Sequence, residues 1–294
     1  MSANDARKLI LALPGVQLNK SAVRVREIAT TGTTAEALAD VGTAFRFKRS
    51  KTDETNRQDA ADAWTVVEVR VGDRQWEDVE LLSRALKSDG RAPVLTVLET
   101  LAAEFAASAR AEQEKQRKQS EPETEGKGKK EKKKKQDEKA ENTNELRRDG
   151  VLVKDSSALL SSSILEAEVE TGFRFTKEGG RWRVAEIRVG AGAWQSTDAL
   201  VAALDAEKNA LARADLETIR TALEAFRRER GFYVVAADQS VLVDHLSPRY
   251  LSRILRIDPW HRPYKYDGTT TRYTLASDGP DGKPGTPDDI RIDN

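Results

Sequence analysis

Thr171-Gly-Phe-Arg-Phe-Thr176, then Gly179-Gly180, then Trp182-Arg-Val-Ala-Glu-Ile-Arg-Val-Gly190 read as two strands around a tight turn. Phe173 and Phe175 alternate with polar residues, and the return strand sets Trp and Val against Arg and Glu. One face is therefore buried and the other wet. The paired glycines supply the positive backbone angles of a two-residue hairpin. The same reading applies upstream to Thr43-Ala-Phe-Arg-Phe-Lys48 and Trp64-Thr-Val-Val-Glu-Val-Arg-Val-Gly72. Trp64/Trp182, Trp76/Trp194 and Leu98-Glu-Thr-Leu101/Leu216-Glu-Thr-Ile219 all keep an offset of 118 residues. The chain carries a duplicated module. In the first copy the hairpin is longer, running through the polar stretch Ser50–Asp62.

Outward from the hairpins, each copy continues into an amphipathic helix, Val79–Leu86 and Thr197–Leu204. Asp5–Leu13 reads as a helix and Ala22–Ile28 as a strand. Between the copies, residues 111–142 hold eleven Lys/Arg and nine Asp/Glu and no apolar side chain but alanine. Such a segment has too little apolar surface to offset its ordering entropy, so it is expected to be a solvated linker. The expected fold class is α+β: two small antiparallel α+β repeat modules (1–110 and 143–205), the linker (111–142), and a C-terminal helix-and-sheet domain (206–294).

The chain has 294 residues, with 49 Lys+Arg against 49 Asp+Glu and no cysteine. A balanced charge gives no general pull toward nucleic acid. Without cysteine there is no disulfide framework, zinc–thiolate site or thiol nucleophile. Leu9–Leu13 is too short for a signal-peptide core or a membrane span. Any export element is expected upstream of Met1.

From Thr197 the pattern runs on as one long helix with Leu216, Ile219, Leu223 and Phe226 on one stripe. Arg227, Arg228 and Arg230 suit its negative end, and Gly231 ends it. Arg228-Glu-Arg-Gly-Phe-Tyr233 resembles the exit of the helix in type II secretion major pseudopilins. Asp258-Pro-Trp-His-Arg-Pro-Tyr-Lys-Tyr266 resembles that family's D-P-W-G-x-P-Y-x-Y, with His261 in the glycine position. Ser277–Ile290 resembles its S-x-G-x-D-G-x-x-G…D-D-I loop. The three motifs keep the family's order across roughly residues 210–294.

The resemblance implies a pseudopilin-like helix-and-sheet domain whose last loop binds one Ca2+ ion. By position, Asp281 and the pair Asp288/Asp289 match the carboxylate ligands. Asp278 and Lys283 fall where the family uses backbone carbonyls. The loop is shorter before the aspartate pair, which leaves either Asp288 or Asp289 to face the metal. An all-oxygen donor set suits calcium better than zinc or copper. The resemblance also implies protein partners, secretion or pilus-like assembly components, and an extracytoplasmic location. It stops at the pseudopilin's hydrophobic N-terminal helix, where this chain has the second repeat.

The leading expectation is a non-catalytic, calcium-stabilised structural or interaction protein. The alternatives are the soluble part of a true pseudopilin, or a carbohydrate-binding or hydrolytic module using Trp260, Tyr264 and Tyr266. No catalytic constellation supports an enzyme. His245 and His261 stand 16 residues apart and read as satisfied or exposed side chains, Ser161–Ser163 has no nucleophile-elbow setting and no nearby base, and the Gly/Lys pattern at 126–130 follows no strand.

Overall fold

The computed structural model describes residues 1–13, 18–49, 64–85, 147–148, 150–158, 162–237 and 239–294. The linker 111–142, the stretch Ser50–Asp62, Leu86, Leu98–Leu101 and Ser161 lie outside them. The chain forms two compact units: Met1–Ser83 with Ser88–Asp198, and Arg84–Lys87 with Ala199–Asn294.

In the first unit, α1 (Ala3–Leu11) begins two residues earlier than its apolar pattern suggests. Ser2 caps it, accepting from the Asp5 amide while Asp5 answers the Ser2 amide, a capping box. Among the described residues nine strands form one sheet: β1 (Val23–Thr31), β2 (Thr34–Arg49), β3 (Trp64–Val71), β4 (Glu77–Asp78), β5 (Arg147–Arg148), β6 (Val151–Ala158), β7 (Ser162–Glu178), β8 (Arg181–Val189) and β9 (Gln195–Ser196). The helix α2 (Val79–Ala85) follows β4. Gly179 and Gly180 both have positive φ (53° and 82°) and turn β7 into β8 as the glycine pair requires.

The two copies of the repeat share this sheet. Their long strands β2 and β7 pair antiparallel from Thr34↔Thr176 to Lys48↔Ser162, with Val41 opposite Val169. In this part of the repeat the copies are offset by 128 residues, so Val169 is the counterpart of Val41. A pseudo-twofold axis therefore passes between these two valines. Around it β1 and β3 flank β2 as β6 and β8 flank β7: Val23 pairs Val41 where Val151 pairs Val169. The bulges repeat as well. One lies at Val25/Glu27 and its mate at Val153/Asp155; another lies at Arg46/Phe47 and its mate at Arg174/Phe175. Recurrence of bulges at matched positions marks them as parts of the repeat.

Each apolar cluster draws on both copies. One gathers Ala6 and Ile10 of α1 with Val23, Ala35, Ala37 and Ala39 of the first copy and Phe173, Phe175 and Val184 of the second. The other gathers Phe45, Phe47, Trp64, Val66 and Val79 with Val151, Leu165, Ala167 and Val169. On the polar face near the axis, the buried Asp40 carboxylate lies 2.8 Å from Arg24 and 3.3 Å from Arg26. These arginines also reach Glu168 and Glu170 of the other copy.

In the second unit, the helix α3 (Thr197–Arg230) lays Leu216, Ile219, Leu223 and Phe226 into a core. The core is closed by Leu242 and Leu246 of α4 (Gln239–Leu246) and by Tyr266, Tyr273, Leu275 and Ile290 of a three-stranded antiparallel sheet. That sheet is β10 (Lys265–Gly268), β11 (Tyr273–Ser277) and β12 (Ile290–Asp293), in chain order. Among the described residues no helix is long and apolar enough to cross a membrane.

Candidate functional site

The aspartate loop, residues 278–289, hangs between β11 and β12, whose pairing of Ser277 with Ile290 closes its base. Ser277 and Asp258 anchor that base from beneath. Both are buried, and the Ser277 hydroxyl donates to Asp258 Oδ2 at 2.7 Å. Asp258 Oδ1 accepts from the amides of Trp260 (3.0 Å) and Arg262 (2.9 Å). One buried carboxylate thus folds the Asp-Pro-Trp turn and ties it to the loop. This meets the rule that a buried charge persists only when hydrogen-bonded. His261 sits in that turn at φ 66°, the left-handed region that a glycine adopts without strain. Arg262 continues toward the loop and donates to the Gly279 carbonyl.

Within the loop the polar groups converge on Thr286. Its Oγ1 lies 2.6 Å from Asp288 Oδ1, 3.3 Å from Asp281 Oδ1, 3.4 Å from Asp289 Oδ1 and 3.0 Å from the Lys283 carbonyl. A hydroxyl has one proton to give, so most of these oxygens face it without a hydrogen between them. Amides hold the carboxylates in place: Lys283 donates to Asp281, Asp281 to Asp288 (Oδ2) and Gly285 to Asp289. The Thr286 hydroxyl and then the Asp281 amide keep the Asp288 carboxyl below its ordinary pKa. Gly279, at φ 59°, lets the backbone pass against the Asp288 carbonyl, where a β-carbon would collide.

Of the residues singled out from the sequence, Asp281, Lys283, Asp288 and Asp289 come together through Thr286. Asp278 differs: its carboxylate pairs with Lys265 Nζ at 2.7 Å, and its carbonyl accepts from the Gly282 amide at 3.2 Å. Thr286, Ser277 and Arg262 escaped the sequence reading, although Arg262 stands inside the Asp-Pro-Trp motif. Among the described residues no three acidic or histidine side chains stand in metal-holding geometry by themselves. The donor set suits a hard cation in kind, since carboxylate, carbonyl and hydroxyl oxygens are what calcium takes.

The aromatic residues beside the loop belong to the core. Tyr264 and Tyr266 are 2% and 3% exposed. Tyr264 donates to Asp215 at 3.0 Å and Tyr266 to the Val234 carbonyl at 2.6 Å. Burial, and then Asp215, hold the Tyr264 hydroxyl far above its ordinary pKa. Trp260 is half-buried against the same core and donates through Nε1 to Asp205 at 3.1 Å. The two buried tyrosine rings have no open face for a sugar.

Residues 199–294 match the family model described as type II secretion system (T2SS), protein G. No curated protein and no solved structure matches the chain. The match takes in α3 from Ala199, the Asp258–Tyr266 turn and the aspartate loop, so that the C-terminal third of this chain is a domain of the type II secretion protein G family.

Proposed function

We propose that the chain is a non-catalytic structural or interaction protein. Its protein G domain is stabilised by Ca2+ held in the aspartate loop, and it works outside the cytoplasm beside secretion or pilus-like assembly proteins. The observation that carries this reading is the convergence on Thr286 of oxygens from Asp281, Lys283, Asp288 and Asp289. Three carboxylates converge on one neutral hydroxyl, which carries no charge to offset them. A divalent cation supplies the balance, with Asp281 and either Asp288 or Asp289 as carboxylate ligands. The Lys283 carbonyl points into the same cluster. Asp278 enters through its carbonyl once that oxygen leaves the Gly282 amide.

Such an ion acts as a folding staple. It binds the closed loop and not the unfolded chain, adding RT ln(1+[L]/Kd), about 2.7 kcal/mol at a hundred times Kd. A site tuned to the millimolar calcium found outside cells stays filled there and empties in cytosol, which supports the extracytoplasmic placement. The histidines serve the framework. His245 sets its ring edge-on to Phe226 at 6.3 Å, and His261 carries the left-handed turn.

The test is a thermal melt of the full chain in EDTA and in millimolar CaCl2, beside Asp281→Asn/Asp288→Asn, with calorimetric titration of CaCl2 at 25 °C. One bound ion and a calcium-dependent rise in Tm, both lost in the variant, are expected. A wild-type chain that takes up no calcium removes the metal from the proposal and leaves a protein G domain held by hydrogen bonds alone.

A further inference from the structure

The polar face of the first unit repeats one device in both copies. In the first copy Arg46 and Arg70 lie 4.2 and 4.9 Å from the Trp76 ring centre; in the second, Arg174 and Arg188 lie 4.0 and 4.9 Å from that of Trp194. An arginine stacked on an indole keeps its charge and its in-plane donors, which still need acceptors. In the first copy both find them: Arg46 pairs with Glu68, and Arg70 approaches Glu166 at 3.7 Å. In the second copy Arg174 pairs with Glu186 and Glu36, each at 3.2 Å.

Arg188 breaks the symmetry. The row through Arg70 reads Arg70–Ala44–Glu166 across three strands, and the matching row reads Arg188–Gly172–Leu38. Where the first copy has a carboxylate, the second has Leu38. Among the described residues Arg188 has no ion pair. Its Nε is shut off from solvent with no acceptor, as is the Nε of Arg70. The missing carboxylate coincides with open space. A groove of about 1070 Å³ runs over this end of the sheet, and Arg188, Leu38, Arg174, Thr176, Arg183 and Glu27 are among its walls.

We propose that this groove is a binding site for a carboxylate-bearing ligand. Its anion takes the place beside Arg188 that Glu166 takes beside Arg70, next to the guanidinium that stacks on Trp194. Arg174 and Arg183 already hold protein carboxylates, Arg183 pairing with Glu178 and Asp198 at 2.9 and 3.2 Å. Arg188 is therefore the cation that selects the ligand. Leu38 and the β1 residues Ile28 and Ala29 give the groove an apolar stretch that suits the carbon chain carrying the carboxylate, bordered by Glu27 and the hydroxyls of Thr31 and Thr34. The ligand is either a free dicarboxylate or an acidic side chain on a peptide.

The experiment follows the Trp194 indole N–H resonance of the full chain by NMR, assigned with Trp194→Phe. The probes are glutarate and a blocked pentapeptide with one central glutamate. The decisive variant is Leu38→Glu, which restores the first copy's ion pair from within. Arg188→Gln is its companion. A saturable shift of the Trp194 signal is expected with one or both probes, lost at least tenfold in affinity in Leu38→Glu, which melts no lower than the parent. Response to the peptide alone identifies a protein source, and equal response to glutarate a small molecule. A Trp194 signal that neither probe moves, or that the probes move in Leu38→Glu and Arg188→Gln as they do in the parent, overturns the site. This outcome is independent of calcium binding at residues 278–289.

Discussion

Asp258 concentrates several tasks in one side chain. It is 3% exposed, accepts two amides of its own turn, and receives the Ser277 hydroxyl at the foot of the aspartate loop. Replacement by alanine strands these donors in a dry site, each at a cost of about 1–3 kcal/mol. Asp258→Ala is therefore expected to lower stability by several kcal/mol, read as a reduced urea midpoint with an unchanged slope. A midpoint shift below the error of the measurement would show that water replaces the carboxylate. Nearby, His261 at φ 66° bears the strain of a left-handed residue. His261→Gly is expected to raise Tm by a few degrees, matching a relief of about 1 kcal/mol; a lower Tm would mean that its side-chain contacts outweigh the strain. The tyrosines carry a pH signature. Burial first, then nearby carboxylates, raise the ionisation of Tyr264, Tyr266 and Tyr273. The folded state thus keeps protons that the unfolded chain releases above pH ~10. Stability is complete below that pH and falls by about 1.4 kcal/mol per pH unit for each such tyrosine as pH rises further. Absorbance at 295 nm during an alkaline titration is expected to show these groups ionising together with unfolding; smooth ionisation near pH 10 without unfolding would contradict their burial.

Among the elements, those encoded by a local pattern were legible in the sequence. The Gly179-Gly180 hairpin, the stripe Leu216–Phe226 of α3 and the turn at Asp258 all follow from neighbours within a few residues. Element ends moved where a cap or a pairing decides them: α1 starts at Ala3 because Ser2 caps it, and β1 runs on to Thr31 because Thr34 pairs with it. Invisible was the partner of each long strand. β2 and β7 alternate alike, and nothing in either pattern says that Val41 faces Val169 rather than a residue of its own copy. Thr286 was hidden for a related reason, since its hydroxyl gains meaning only when the loop brings three aspartates to it. The pairing makes its own prediction. Phe47 and Phe175 occupy matched positions and are 0% and 1% exposed, each in a different apolar cluster. Phe47→Ala and Phe175→Ala are each expected to cost about 3–5 kcal/mol in urea denaturation, because each opens a cavity on the same plan. A cost in only one of them would show that the two halves of the sheet are not equivalent in packing.

At the scale of the whole molecule, the duplication explains why the first unit holds together without either copy being complete. Each apolar cluster takes walls from both copies, so a single copy leaves half a core exposed to water. The arrangement is that of a twofold dimer whose subunits lie in one chain: an isologous contact made by β2 against its own counterpart β7. The paired strands and shared clusters hold the two halves to each other, and joining them in one chain raises their effective concentration. A protease site inserted between Gly126 and Lys127 tests this. After complete cleavage the two fragments are expected to co-elute on size exclusion at the parent's volume and to separate only in denaturant, since the ladder from Thr34 to Lys48 and both clusters remain intact. The cleaved protein is also expected to melt at a temperature that rises with concentration, as an association does and the uncut chain does not. Fragments that part on cleavage would show that the paired strands alone hold too weakly, and that the sheet survives only while the halves remain on one chain.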